Sequence, residues 1–171
     1  YWSKRVKFAE DHGVKIAIEM HPGFVVHSPE TLLKLREACG PNLGCNYDPS
    51  HIFWQQIDAI KAIRILGDAI FHVHAKDNQI YDANLPKTGV LDTKKLSDER
   101  NRSWIYRTVG YGHDAGWWSE FISTLRMYGY DYVLSIEHED CLMSPNEGLT
   151  KAVRFLQNLV IREQPGVAYW A

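Results

Sequence analysis

Cysteine is scarce in this chain of 171 residues: Cys39, Cys45 and Cys141 are odd in number, far apart and free of any C-x-x-C pair. That argues against a disulfide framework and against a thiolate zinc site, and points to a reducing, cytoplasmic compartment. An excess of either charge is lacking too. Nineteen Lys and Arg against 21 Asp and Glu leave a formal charge of -2, so no field draws in a polyanion, and neither nucleic acid nor an anionic membrane is an expected partner. No apolar run approaches the roughly 18 residues that span a bilayer, and the start has no charged-then-apolar signal layout. Internal repeats and low-complexity segments are absent, so no linker is expected inside the chain. An initiator Met is absent as well, and Tyr1 to Asp11 already reads as the middle of an amphipathic helix with no capping residue before it. The chain therefore reads as one whose upstream part is missing.

What is present suffices for a core, with 45% hydrophobic residues and 12% aromatics. After Gly13, Val14 to Met20 is a short β-branched run that predicts a buried strand. Ser28-Pro29-Glu30 starts a helix, with Ser at the cap and Pro in the first turn, and Gly40 ends it. Leu43 to Asp48 predicts a second strand, Ile57 to Leu66 a helix, and Ala69 to Ala75 a third strand. Trp117 to Tyr128 has helical spacing, Tyr132 to Glu137 predicts a fourth strand, and Asn146 to Ile161 a last helix. This alternation implies a parallel sheet, doubly wound or closed as a barrel. The exception is the stretch 78–107, about thirty residues with little periodicity, which reads as a lid or a disordered loop.

Each predicted strand ends in groups that bind cations or move protons: Glu19-Met20-His21, Asp48-Pro49-Ser50-His51, His72 to Asp77, and Glu137-His138-Glu139-Asp140. Any one of these endings is most simply a loop cap. Four together describe a site, because ligands of parallel α/β folds sit beyond the carboxyl ends of the strands. Side-chain parity sharpens the set. With Ile16, Ile18, Leu43, Cys45, Tyr47, Phe71, Val73, Ala75, Leu134 and Ile136 facing the helices, the other face carries Glu19, His21, Asn46, Asp48, His72, His74, Lys76, Ser135, Glu137 and Glu139. Glu19, Asp48, His74 and Glu137 form a hard, oxygen-rich set suited to Mn²⁺, Mg²⁺ or Co²⁺ rather than structural Zn²⁺. Such an ion acidifies a carbon-bound proton beside a carbonyl, and a nearby carboxylate can take it. His72 reads as a hydrogen-bonded core residue and His138 as structural. Trp117, Trp118 and Tyr128 to Tyr132 read as packing groups, and Lys94-Lys95 as a solvated loop face.

Through IAIEMHP (16–22), NYDPSHIFWQQID (46–58), FHVHAKD (71–77), VGYGHDAGWW (109–118) and GYDYVLSIEHED (129–140), the chain resembles the xylose isomerase-like TIM barrel superfamily of sugar phosphate isomerases and epimerases. The resemblance implies the C-terminal half of one such barrel over residues 1–171, with four parallel strands and a long loop insertion at 78–107. It also implies metal binding by Glu19, Asp48, His74 and Glu137, the four that parity selects. Glu19 and Glu137 would pass a proton between the faces of an enediolate of a sugar substrate. His51 matches a contact to a substrate hydroxyl, Arg107 loosely matches an arginine on the sugar oxygen, and His21 is a further candidate for substrate binding. Trp104 to Thr108 lacks the Asp-x-His that endonuclease IV needs for its extra zinc ions, which disfavours DNA repair. The insertion resembles that of members acting on 3-keto-glycosides, so a lyase or deglycosidase using the same metal is the alternative enzyme. An inactive half-barrel is the alternative without activity, since its exposed sheet edges would invite aggregation or a homo-oligomer.

Overall fold

The computed structural model describes residues 1–168. Helix α1 (Trp2–Asp11) leads to strand β1 (Ile16–Glu19), α2 (Pro29–Cys39), β2 (Leu43–Tyr47), the short α3 (Pro49–Phe53), α4 (Ala59–Leu66) and β3 (Ile70–Ala75). The chain continues through β4 (Asp77–Ile80), α5 (Leu85–Thr88), β5 (Trp104–Arg107), α6 (Ala115–Met127), β6 (Leu134–Ile136) and α7 (Pro145–Gln157). The main sheet has the order β1-β2-β3-β6, and every neighbouring pair is parallel. The alternation implied the parallel sheet, and the partial barrel of four parallel strands is the one that the family resemblance implied. No helix of the described residues is long and apolar enough to cross a membrane.

The helices start where their sequences supply a cap. Ser28 and Thr31 form a reciprocal capping box ahead of Pro29, and the Asp58 carboxylate accepts from the amides of Ile60 and Lys61. Each satisfies donors that the first helical turn leaves free. Leu43, Cys45, Tyr47, Val73 and Ala75 are fully buried against Leu32, Ile63, Leu66, Trp118 and Phe121 on the helices. One face of the sheet is therefore the oily face, as parity requires.

Phe71 departs from that pattern. Between Cys45 and Asn46 the β2–β3 register shifts, so Cys45 pairs with Ile70 while Asn46 pairs with His72, leaving Phe71 as an extra residue. Ile70 takes the core position, and Phe71 lies over Gly44, where any Cβ would overlap its ring. The bulge shifts one residue and restores the parity of His72 and His74. His72 is half-buried, edge-on to His74 and Tyr132, and makes no side-chain hydrogen bond among the described residues, contrary to expectation. The missing partner reflects its place on the open inner face rather than in the core.

The stretch 78–107, read from sequence as a lid or a disordered loop, is bounded by two paired strands. β4 and β5 pair antiparallel, with Asp77 opposite Arg107, Asn78 opposite Tyr106, and Ile80 opposite Trp104. The segment between them is tied down by buried polar groups. Asp92 accepts from the amides of Ser103 and Lys94 and pairs with the Lys94 ammonium at 3.1 Å, so Lys94 is not a solvated face. The Trp104 indole donates to the Val90 carbonyl and stacks on Trp54 with ring centres 4.7 Å apart. Four strand residues per arm, separated by residues 81–103, are too short a pattern for periodicity to register.

Asp77, fully buried at the base of this hairpin, accepts at Oδ2 from the amides of Gly110, Gly112 and His113 and from the Trp118 indole, while Oδ1 faces His113 Nδ1 at 2.7 Å. Gly112 has to be glycine for this approach, because a Cβ there would overlap the Asn78 carbonyl and the Asp77 carboxylate. Trp117 and Trp118 pack as expected, with Trp118 fully buried. Asp77→Ala should lower stability by about 3 to 5 kcal/mol, since it orphans several buried donors at once. The urea midpoint at unchanged slope reads this directly, and a loss below about 1 kcal/mol would contradict the assignment of Asp77 as the hub.

Candidate metal centre

Each member of the cluster comes from a different strand end. β1 ends at Glu19, the residue after β2 is Asp48, His74 lies in β3, and Glu137 follows β6. One ligand atom from each of these four residues lies within 4.8 Å of all the others. Two atoms that are each about 2.0 to 2.6 Å from one ion are at most about 5.2 Å apart, so this spacing admits a shared cation. His74 Nδ1 stands 2.9 Å from Glu137, 3.7 Å from Glu19 and 3.9 Å from Asp48.

The donors also show the unmet demand of a cation site. Asp48 Oδ2 is buried without a hydrogen-bond partner, and the buried Glu137 Oε2 meets only the His74 imidazole, at 2.9 Å. Orphaned carboxylate oxygens at such a depth are costly unless a positive charge faces them. Three oxygens and one imidazole nitrogen make a donor set that fits a divalent ion.

Two protein cations hold the carboxylates together. The carboxylates of Glu137 and Glu19 beside His74 push its imidazole pKa up to about 10. His74 in turn holds Glu137 down at about 2, with Lys76 assisting, and the imidazoles of His51 and His74 keep Glu19 well below the usual range. Burial pushes Asp48 up, against His51 and Lys76. Lys76 is 2% exposed, with its ammonium 3.1 Å from Glu137, 2.6 Å from Glu139 and 3.9 Å from Asp48. Burial opposes its charge, but these carboxylates raise its pKa on balance. Asn46 approaches His74 Nε2 at 3.0 Å. An amide turned to present Oδ1, which has no other partner, accepts the second imidazolium proton.

Around the cluster lies a pocket of about 490 Å³, lined on its polar side by Glu19, His21, His51, Lys76, Glu137 and Glu139 and on its apolar side by Phe24, Leu96, Trp104 and Tyr106. His51 stands with Nε2 3.3 Å from Glu19 and 3.5 Å from Asp48. His21 donates from Nδ1 to the Pro22 carbonyl, and its ring packs 4.2 Å from that of His51. The structure thus brings the four candidate ligands together with His51 and His21. Arg107 lies apart: its guanidinium binds Asp140 at 3.3 Å and Gln79 at 2.7 Å, and it does not line the pocket. His138 is structural, with Nε2 3.2 Å from the Met143 carbonyl. Sequence reasoning gave no role to Lys76, although parity had put it on the correct face, and none to Trp104 or Tyr106, whose strand it had not found.

Residues 1–159 match the family described as xylose isomerase-like TIM barrel. The chain belongs to this family. It is 47% identical over 161 residues to the uncharacterized protein YfiH of Bacillus subtilis, covering 94% of the chain and 51% of YfiH. The uncharacterized protein MJ1311 of Methanocaldococcus jannaschii is 31% identical over 144 residues, covering 81% of the chain and 41% of that protein. The chain thus spans about half the length, or less, of the curated relatives it matches. Among solved structures, the probable 3-DHS dehydratase AsbF of Bacillus anthracis superposes with a TM-score of 0.67 at 19% identity, over 91% of this chain and 54% of that one. A D-allulose 3-epimerase from Methylomonas sp. superposes with a TM-score of 0.61 at 16% identity, over 92% and 53%. At these identities the likeness is one of fold: the four parallel strands correspond to part of a xylose isomerase-like barrel.

Because His74 carries a proton up to a pH of about 10 in the metal-free protein, a cation that engages this nitrogen must displace it. Calorimetric titration with Mn²⁺ at pH 7.5, in buffers of different ionisation enthalpy, should show release of close to one proton per site. Release near zero would refute the protonated His74. The sign for stability follows. His74 is raised above its unfolded value of about 6.5, so its contribution to the metal-free fold is complete below that pH and lost as pH rises through about 10.

Proposed function

We propose that this chain carries the metal-binding and proton-transfer groups of a divalent-metal-dependent isomerase or epimerase acting on a sugar or keto-sugar. The observation that carries this reading is the convergence of Glu19, Asp48, His74 and Glu137 beside a pocket that two of them line. Membership in the xylose isomerase-like family and a fold shared with a D-allulose 3-epimerase and a probable 3-DHS dehydratase support it. In the proposal all four residues hold the ion. When bound, a divalent ion polarises a carbonyl and its neighbouring hydroxyl, which acidifies the C–H between them.

The protein's own groups have separable tasks. Glu19 and Glu137 arise from strands on opposite sides of the sheet and remain about one-third exposed, so both can reach a proton on a bound substrate. One removes the proton from one face of the substrate carbon, and the other returns a proton to the opposite face. Both are held ionised by their imidazole neighbours, as a base and a ligand must be. His21, whose Nδ1 is taken by the Pro22 carbonyl, presents Nε2 to a substrate hydroxyl, His51 keeps a proposed substrate contact only if its Nε2 leaves Glu19, and Trp104 and Tyr106 exclude water from one side of the pocket. Arg107 keeps a proposed role at the sugar oxygen only if it exchanges Asp140 and Gln79 for substrate.

The buried Lys76 favours a second reading, elimination from a 3-keto-glycoside, because an ammonium beside Glu137 can serve a departing oxygen that epimerisation does not release. Product analysis separates the two, since only elimination yields a new aglycone or water.

In the intact enzyme, Glu19→Gln and Glu137→Gln should each lower kcat by at least about 100-fold, with a smaller effect on substrate binding. Solvent deuterium exchange into the substrate at saturating Mn²⁺, with metal content measured in the same samples, checks this. One variant should still wash out the proton on its own face without forming product, and the other should do neither. Near-normal epimerisation by both fully metallated variants would remove this pair from the mechanism.

A further inference from the structure

We propose that Tyr106 is a positioning residue, whose hydroxyl binds His51 Nδ1 and thereby locks the imidazole with its Nε2–H directed at Glu19. Only the kinetic part of this inference rests on the function proposed above. The Tyr106 hydroxyl lies 3.2 Å from His51 Nδ1 and is that nitrogen's only hydrogen-bond partner among the described residues. On the opposite edge of the ring, Nε2 faces the carboxylate oxygens of Glu19 at 3.3 Å and Asp48 at 3.5 Å. Carboxylate oxygens only accept, so the ring presents a proton to them from Nε2, and Nδ1 is left to accept from the phenol.

Nothing about Tyr106 is loosely held. Its β5 position opposite Asn78 is fixed by the hairpin register, and it is 7% exposed. The Lys76 ammonium sits over its ring at 4.3 Å, while the rings of His51 and Trp104 meet it edge-on at 5.9 and 5.3 Å. His51 itself is 2% exposed, so in the wild-type protein the phenol, not bulk solvent, meets Nδ1. An imidazole pinned at one nitrogen by the hairpin and aimed by the other at a proposed base links the 78–107 segment to the site. Partners of this kind orient the groups that touch metal or substrate.

The test begins with the full chain labelled with ¹⁵N-histidine and metal-free, with the His51 resonances assigned by their disappearance in His51→Gln. Wild type should show a pyridine-like Nδ1, a pyrrole-like Nε2 and a slowly exchanging Nε2–H. In Tyr106→Phe, which keeps the ring and the contact with Lys76, exchange of that proton with solvent should accelerate at least tenfold. With metal and substrate, kcat of Tyr106→Phe should fall at least tenfold, while the Mn²⁺ dissociation constant changes less than threefold. A wild-type His51 protonated at Nδ1, a measurement that needs no variant, would overturn the proposal, as would an unchanged Nε2–H exchange rate in Tyr106→Phe. If no sugar or keto-sugar is turned over, the exchange result still stands or fails alone, and the function proposed above is what falls.

Discussion

Three carboxylates and an imidazole within 4.8 Å of one another repel or attract strongly enough to govern the whole upper face of this sheet. At about 4 Å, with an effective dielectric near 20, a pair of like charges costs about 4 kcal/mol. The sheet tolerates Glu19, Asp48 and Glu137 together only because His74 and Lys76 stand among them. The depressed carboxylates, the elevated imidazole and the oxygens without hydrogen-bond partners are three expressions of the same crowding. The buried Lys76 belongs to this balance as much as the acids do. Replacing it with a neutral residue would leave Glu139 without its nearest cation and Glu137 with His74 alone.

The backbone makes that crowding unavoidable. In a parallel sheet, residues of equal parity on neighbouring strands share a face, and the register Glu19–Asn46–His72 puts these three at one level, with Asp48 and His74 each two residues further along their strands. The bulge at Phe71 matters here. It takes up one residue below the site without changing which face His74 occupies, whereas a slip of a single residue would have turned His74 and Lys76 into the core. Gly44 is the local condition for the bulge, since only a residue without Cβ leaves room for the displaced ring.

The parts of this arrangement legible in sequence are those that follow a period. Alternation of two exposed the oily face and, by subtraction, Glu19, Asp48, His74 and Glu137. Cap residues placed the helices to within a few positions. Tyr106 and Trp104 were hidden because their strand is four residues long and its partner lies upstream of residues 81–103, so pairing rather than pattern defines it. A closer reading had one available cue, the Trp104-Ile105-Tyr106-Arg107 run with aromatics two apart. Arg107 shows the converse: motif position suggested the pocket, while an ion pair with Asp140, which also accepts from the Thr108 amide, turns the guanidinium elsewhere.

The charge balance also bears on which ions this cluster can select. Four carboxylates, counting Glu139, face two protein cations, so the metal-free site is short of positive charge even with His74 protonated. A monovalent ion that displaced the His74 proton would leave that balance unchanged and would still have to be stripped of water. A divalent ion in the same exchange adds one positive charge where the carboxylate repulsion is greatest. For the proposed metal site, a preference for divalent over monovalent cations thus follows from the proton already held by His74.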